Sequence, residues 1–258
     1  MPYFLLFLPL LGSVLGYFIK IFGDRYSEIL TSLFVVISAI LSVIIFYNGI
    51  IHDVYGNYKI FNWINSGNLN VNWSINIDPL SSIMLVVVTG VSSLVHIYSI
   101  GYMSHDPNRP RFMSYLSLFT FAMLTLVVSD NFLQLFFGWE GVGLSSYLLI
   151  GFWYKKDSAN NAAIKAFLVN RIGDFGLAIG IFLIFKFCGT LNYSEVFSRI
   201  PQLADKEINF IGININLITI ICLTLFVGAM GKSAQMPLHT WLPDAMEGPT
   251  PVSALIHA

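Results

Sequence analysis

The sequence predicts an all-α, polytopic membrane helix bundle with about seven spanning helices, the start of an eighth, and a seventh broken by proline. Three observations carry this. Of 258 residues, 56% are hydrophobic and only 10% are charged, against about 25% charged in an ordinary soluble domain. The mean hydropathy is +0.73. Apolar runs of about 20 residues, the length that crosses a bilayer core, recur along the chain. A water-soluble protein of this size would need far more polar surface, so lipid is the solvent for most of it.

The first run, 3–22, holds one charge, Lys20, near its end. Another apolar run follows it instead of a small-residue cleavage site and a polar segment. It therefore reads as a membrane helix and not as a signal peptide. Further helices are expected at 28–51, 79–102, 112–129, 131–153, 162–187 and 214–246, and the eighth begins near Pro249. Asp78 before Pro79 predicts an N-cap with proline at the first helical position. The longest polar stretch, His52 to Asp78, is rich in Asn and Gly. A second, Gly189 to Asn216, predicts a short amphipathic helix at Tyr193–Ile200 and a strand-like pair around Ile208–Ile215. The whole chain reads as one membrane domain: 1–111 holds the first three helices and 112–258 begins a helical repeat. Basic residues in short loops favour an outside N-terminus. Lys20, Arg25, Arg109, Arg111, Lys155 and Lys156 then lie inside, and Lys59, Lys186, Arg199 and Lys206 outside.

Composition also excludes functions. A net charge of −1 offers no basic patch for nucleic acid. Cys188 and Cys222 stand alone and lack metal-ligand spacing; they read as small apolar side chains in helices. No glycine-rich loop follows a strand, so no nucleotide site is expected.

The informative residues are charges inside apolar runs. A charge at bilayer depth costs at least about 2.5–3.5 kcal/mol and persists where it meets a partner, water or a pathway. Glu140 sits among Gly138, Gly141 and Gly143 in FFGWEGVGLSSYLLIGFWY. Lys232 sits among Gly228, Gly231, Ser233 and Ala234, shortly before Pro237 and Pro243. Small residues let a second backbone approach closely, so both side chains are expected to face protein. A proline-broken helix at membrane depth lines a cavity or packs in protein. A buried carboxylate or lysine then changes protonation with the charges around it, which suits a proton relay. Each also fits a static ion pair, and Lys232 fits a lysine reaching to the inner interface. Arg171 and Asp174 lie three apart in NRIGDFG, share a helix face and are expected to pair with each other. Lys165, earlier on that helix, joins the polar seam or reaches to the interface. Histidine titrates nearest neutral pH. His257 enters the last helix and can continue a relay, while His239 reads as a hydrogen-bonded packing residue. His52, His96 and His105 lie at or near helix ends and read as interfacial.

The segments DNFLQLFFGWEGVGLSSYLLIGFWY, AAIKAFLVNRIGDFG and GKSAQMPLHTWLPDAMEGPTPVSALIHA resemble subunit 5 of respiratory complex I, an antiporter-like subunit of mitochondria and bacteria. The likeness runs from the first helix to Ala258. DAMEGPTPVSALIHA separates it from the sister subunits 2 and 4. The large subunit of multi-subunit Na⁺/H⁺ antiporters is the nearest rival. The resemblance implies a proton-translocating role in NADH:ubiquinone oxidoreductase, with Glu140 and Lys232 as a switchable pair, His257 as the relay histidine and Asp174 as a modulating acid. It implies no cofactor in this chain: NADH, FMN, iron–sulfur clusters and ubiquinone belong elsewhere in the complex. It implies the membrane-arm subunits as partners, especially the subunit 4-like one, and the inner mitochondrial or bacterial plasma membrane as the site. The family's proteins are much longer, so a split gene with the remainder on a second polypeptide, or a truncated product, is expected. A third reading is a mainly structural assembly subunit.

Overall fold

The computed structural model describes residues 1–210 and 213–257, excluding the side chains at 209, 210, 213 and 257. The chain opens with α1 (Pro2–Ile19), a 3₁₀ turn at Lys20–Phe22, and α2 (Asp24–His52). A hairpin, β1 (Gly56–Ser66) and β2 (Leu69–Ile77), precedes α3 (Pro79–Tyr102), α4 (Arg109–Val127), α5 (Phe132–Ile150) and α6 (Asp157–Cys188). Then come α7 (Tyr193–Leu203), a second hairpin of β3 (Glu207–Phe210) and β4 (Ile213–Asn216), α8 (Leu217–Lys232), a 3₁₀ turn at Asp244–Glu247, and α9 (Thr250–His257). Five helical segments among the described residues are long and apolar enough to cross a membrane: Pro2–Phe22, α2, α3, α4 and α6. α8, of 16 residues, is a shorter apolar helix. α5 carries Gln134 and Glu140 and packs between α4 and α6.

Caps set several boundaries. Asp78 accepts from Ser81 N at 2.6 Å, and Ser81 Oγ accepts from Asp78 N at 2.7 Å, a reciprocal capping box that starts α3. Asn131 Oδ1 accepts from Gln134 N at 2.8 Å and starts α5. Asn216 Oδ1 accepts from Ile218 N at 3.0 Å and starts α8. Gly189, with φ +67°, ends α6.

The first hairpin lies in the polar stretch and adds strands to the helical bundle. Its second strand, LNVNWSINI, alternates. Val71, Trp73, Ile75 and Ile77 are buried, while the intervening asparagines face away, as a period of two requires. Gly67, at φ +56°, turns the chain. Gln134 binds the hairpin as a neighbouring strand would: its Oε1 accepts from Ser74 N at 3.0 Å and its Nε2 donates to Ser74 O at 2.7 Å. The second hairpin and α7 fall where the strand-like pair and amphipathic helix are predicted.

The predicted helix 214–246 is shorter in the structure. α8 stops at Lys232, and Ala234 turns into the left-handed region at φ +49°. Pro237 cannot continue a helix, because it lacks an N–H and its ring meets the preceding turn. Trp241 Nε1 donates to the Gly231 carbonyl at 3.0 Å, which satisfies an acceptor at the helix end.

Glycines let two helix pairs, α4–α5 and α6–α8, close around the site. A Cβ at Gly138 would lie 2.6 Å from Leu126 N on α4. A Cβ at Gly173 would lie 3.1 Å from Gly231 Cα and 3.2 Å from Val227 O on α8. Both obstacles are backbone and cannot step aside. Gly138→Ala and Gly173→Ala are therefore expected to lower stability by about 1–3 kcal/mol each. Gly90→Ala, which would meet nothing within 4 Å, serves as the control. Thermal unfolding in detergent reads the difference, and equal midpoints for all three variants would contradict the packing argument.

Candidate functional site

Glu140 lies midway along α5, Arg171 and Asp174 midway along α6, and Lys232 at the end of α8. The close α6–α8 crossing at Gly173 and Gly231 brings these segments together. Glu140 is ion-paired with Arg171 across the α5–α6 interface. The Arg171 guanidinium also stacks over the Phe167 ring, 4.7 Å from its centroid. The predicted Arg171–Asp174 contact exists at 3.9 Å, but it is the secondary one. The i,i+3 rule sees one helix only, and the closer partner comes from its neighbour. Asp174 is buried, and its Oδ1 accepts from Trp139 Nε1 at 2.7 Å. Trp139 thus ties the acid of α6 to the residue next to Glu140.

Lys232, the other member of the predicted switchable pair, makes no ion pair with Glu140 in this structure. None of the ion pairs among the described residues includes it. Its Nζ lies 5.9 Å from the Trp139 ring centroid. A Cβ at Gly143 would come within 2.7 Å of that Nζ, so Gly143 leaves the space the ammonium fills. The lysine borders a cavity of about 300 Å³ that is also lined by Trp139, Ser146, Asn170, Ser92 and Thr120. Asn170 is buried, and its Oδ1 has no hydrogen-bond partner among the described residues. The polar groups along this edge, the unpartnered Asn170 oxygen among them, are where water in such a cavity would bind.

The remaining predicted residues divide. Lys165 is not part of this seam; it pairs with Asp244 instead. Its Nζ donates to Asp244 Oδ2 at 2.6 Å and fastens the Asp244–Glu247 turn to α6. With both side chains more than two-fifths exposed, that bridge contributes at most about 1 kcal/mol. The His257 side chain lies outside the described residues; its neighbours Leu255 and Ile256 line the cavity. His239, His52 and His105 are exposed. His96 departs from its interfacial reading: it is 0% exposed inside α3 and hydrogen-bonded to α4. Sequence position suggested a helix end, but burial there comes from α4, whose Ser117 packs on the ring. Arg109 bridges Asp24 at 3.4 Å and buried Glu28 at 3.3 Å, which brings predicted inner residues of α2 and α4 to one end.

Two cations and two carboxylates from three helices gather beside a mostly apolar cavity edged by Ser92, Thr120, Ser146, Asn170 and Lys232, an arrangement that fits an antiporter-like membrane protein. The comparisons with known proteins agree. The family described as NADH:quinone oxidoreductase/Mrp antiporter, TM, matches residues 129–258, and the chain belongs to that family. The description NADH-Ubiquinone oxidoreductase (complex I), chain 5 N-terminus, matches residues 63–113. The chain is 54% identical over 255 residues to NADH-quinone oxidoreductase subunit L of Rickettsia felis, covering 98% of this chain and 39% of that protein. It is 54% identical to NADH-ubiquinone oxidoreductase chain 5 of Chondrus crispus, covering 98% and 38%. It is 55% identical to that of Triticum aestivum, covering 98% and 38%. The matched stretch is the N-terminal part of those relatives, so the chain spans about two-fifths of their length. The fold is similar to a chain in the Mrp complex from Dietzia sp. DQ12-45-1b, with a TM-score of 0.80, 24% identity, and coverage of 99% of this chain and 26% of that one.

Proposed function

We propose that this chain is part of the proton-translocating, antiporter-like subunit 5 of NADH:ubiquinone oxidoreductase. In this reading it carries no redox group; it couples remote electron transfer to proton movement. One observation carries the proposal: Glu140 of α5 is ion-paired with Arg171 of α6, while the second cation, Lys232 of α8, reaches α5 beside Gly143 and Trp139. With Glu140 on Arg171, Lys232 holds its proton without a carboxylate bonded to it and can pass it to water in the cavity. When Glu140 swings to Lys232, the ammonium is retained. Asp174, held by Trp139, keeps a fixed negative charge near both cations. The proton released from Nζ travels through cavity water towards α9 and His257, and a proton taken up later restores the ammonium.

The proposal includes partners. Arg171 is 47% exposed midway along α6, and a charge at bilayer depth needs protein or water against it. That face is read as covered by other membrane-arm subunits, above all the subunit 4-like one, and by polypeptide corresponding to the remainder of subunit 5. The membrane is read as the mitochondrial inner membrane, with the bacterial plasma membrane as the alternative. A second reading, the large subunit of a multi-subunit Na⁺/H⁺ antiporter, is favoured by the Mrp fold likeness and uses the same charges. Native membrane vesicles separate the two. Proton uptake driven by NADH oxidation and independent of sodium is expected. Sodium-dependent exchange that proceeds without NADH oxidation would establish the antiporter instead.

A further inference from the structure

His96 has no part in the relay just described, yet it is a fully buried titratable side chain whose hydrogen-bond partner Ser92 lines the same cavity. Its Nδ1 lies 2.8 Å from the Ser92 carbonyl and 3.3 Å from Ser92 Oγ. A carbonyl can only accept, so Nδ1 carries the hydrogen and Nε2 of the neutral ring is an acceptor. Ser117 Oγ, 3.1 Å from Nε2, therefore donates to the ring. Thr120 Oγ1 donates to the Leu116 carbonyl at 3.0 Å. Its 2.6 Å contact with Ser92 Oγ is then one in which Ser92 donates. Ser117, the ring and Ser92 thus donate in one direction, towards Thr120, whose own hydrogen rests on the Leu116 carbonyl. The last two side chains line the cavity that Lys232 borders. Behind Ser117, Ser114 lies one turn nearer the Arg109 end of α4 and bonds to Ser13 of α1.

We propose that His96 carries protons from the α1–α4 side of the bundle into the Lys232 cavity, an inference that rests on the proton-translocating reading above. In one passage the Ser117 hydroxyl gives its proton to Nε2 and takes a replacement from water that reaches it from the Arg109 end of α4. Nδ1 gives its proton to Ser92 Oγ, and Ser92 gives its own to Thr120 Oγ1. Thr120 turns its hydroxyl away from the Leu116 carbonyl and releases its original proton to cavity water, which delivers it to neutral Lys232. Each group gains one proton and loses one, and no other bond changes. The ring, now protonated at Nε2, resets by a flip about its Cβ–Cγ bond. The direction runs from the end of α4 predicted to lie inside, so the line refills Lys232 after each release.

Glutamine at position 96 separates transport from structure. Its amide can donate to the Ser92 carbonyl and accept from Ser117, but it cannot relay a proton as imidazole does. In the assembled native complex, His96→Gln is expected to slow proton translocation at least about tenfold, with normal amounts of complex on native gels. Wild-type translocation in His96→Gln alongside a defect in Lys232→Met would overturn the role of His96 and leave the proposed function standing. Wild-type translocation in both would overturn the two together. Should His96→Gln fail to assemble, Thr120→Val removes the last hydroxyl without touching the ring. Slowed translocation in that variant supports the proposal, and an unchanged rate overturns it.

Discussion

Replacing Arg171 with glutamine is expected to slow proton translocation about fivefold while the complex still assembles. Arg171 and Lys232 compete for one carboxylate, and the structure holds Glu140 on Arg171. Glutamine keeps a hydrogen-bonding head but loses the charge. Glu140 then spends more time at Lys232, where it keeps the ammonium protonated and the cavity unsupplied. In the isolated chain 47% of the Arg171 side chain is exposed, which sets the preference it confers at about 1 kcal/mol, a minimum once other subunits cover that face. That corresponds to the roughly fivefold change. Arg171→Lys keeps the charge and one donor, so it should recover most of the rate. Acidification of vesicles, measured together with electron transfer, reads both variants. Equal slowing by Gln and Lys would assign Arg171 to shape and not to charge. An unchanged rate in Arg171→Gln would remove it from the account.

The sequence made some of this architecture readable and hid the rest for identifiable reasons. Asp78–Pro79 marks the start of α3 because capping is local chemistry. Glu140 and Lys232 stand out because charges within apolar, glycine-rich segments have few stable environments. Partner choice was not legible. Arg171 has Asp174 three residues away and Glu140 on another helix, and only the packing of α5 on α6 shows which lies closer. His96 was hidden likewise, since its burial depends on Ser117 in α4. The first hairpin left a signal in the alternation of LNVNWSINI, but its many asparagines made the stretch look like a loop. They prove to be the outward face of a strand whose other face is Val71, Trp73, Ile75 and Ile77. The end of α8 is the reverse case. Pro237 was visible, yet its effect reaches back to Lys232 through the preceding turn.

Lys232→Met carries the largest expected effect. Methionine fills the volume beside Gly143 with an unbranched, flexible side chain but cannot hold a proton. The Gly143 notch therefore stays occupied, and α5, α6 and α8 keep their packing. Glu140 and Asp174 keep Arg171 and Trp139 as partners, so no carboxylate is stranded. Translocation through this chain should fall by about 100-fold or more, the scale at which a positioned proton-transfer group contributes. Glu140→Gln should leave Lys232 charged or discharged without control and also uncouple the two processes. The combined variant should do no worse than Lys232→Met alone, because both residues act in one step. The most direct measurement is the number of protons moved per electron in assembled complex carrying Glu140→Gln and Lys232→Met together. The account predicts a ratio clearly below that of the unmodified complex, reproducing the Lys232→Met value. A ratio equal to that of the unmodified complex, with normal assembly, would contradict it and leave the charges as static ties between helices.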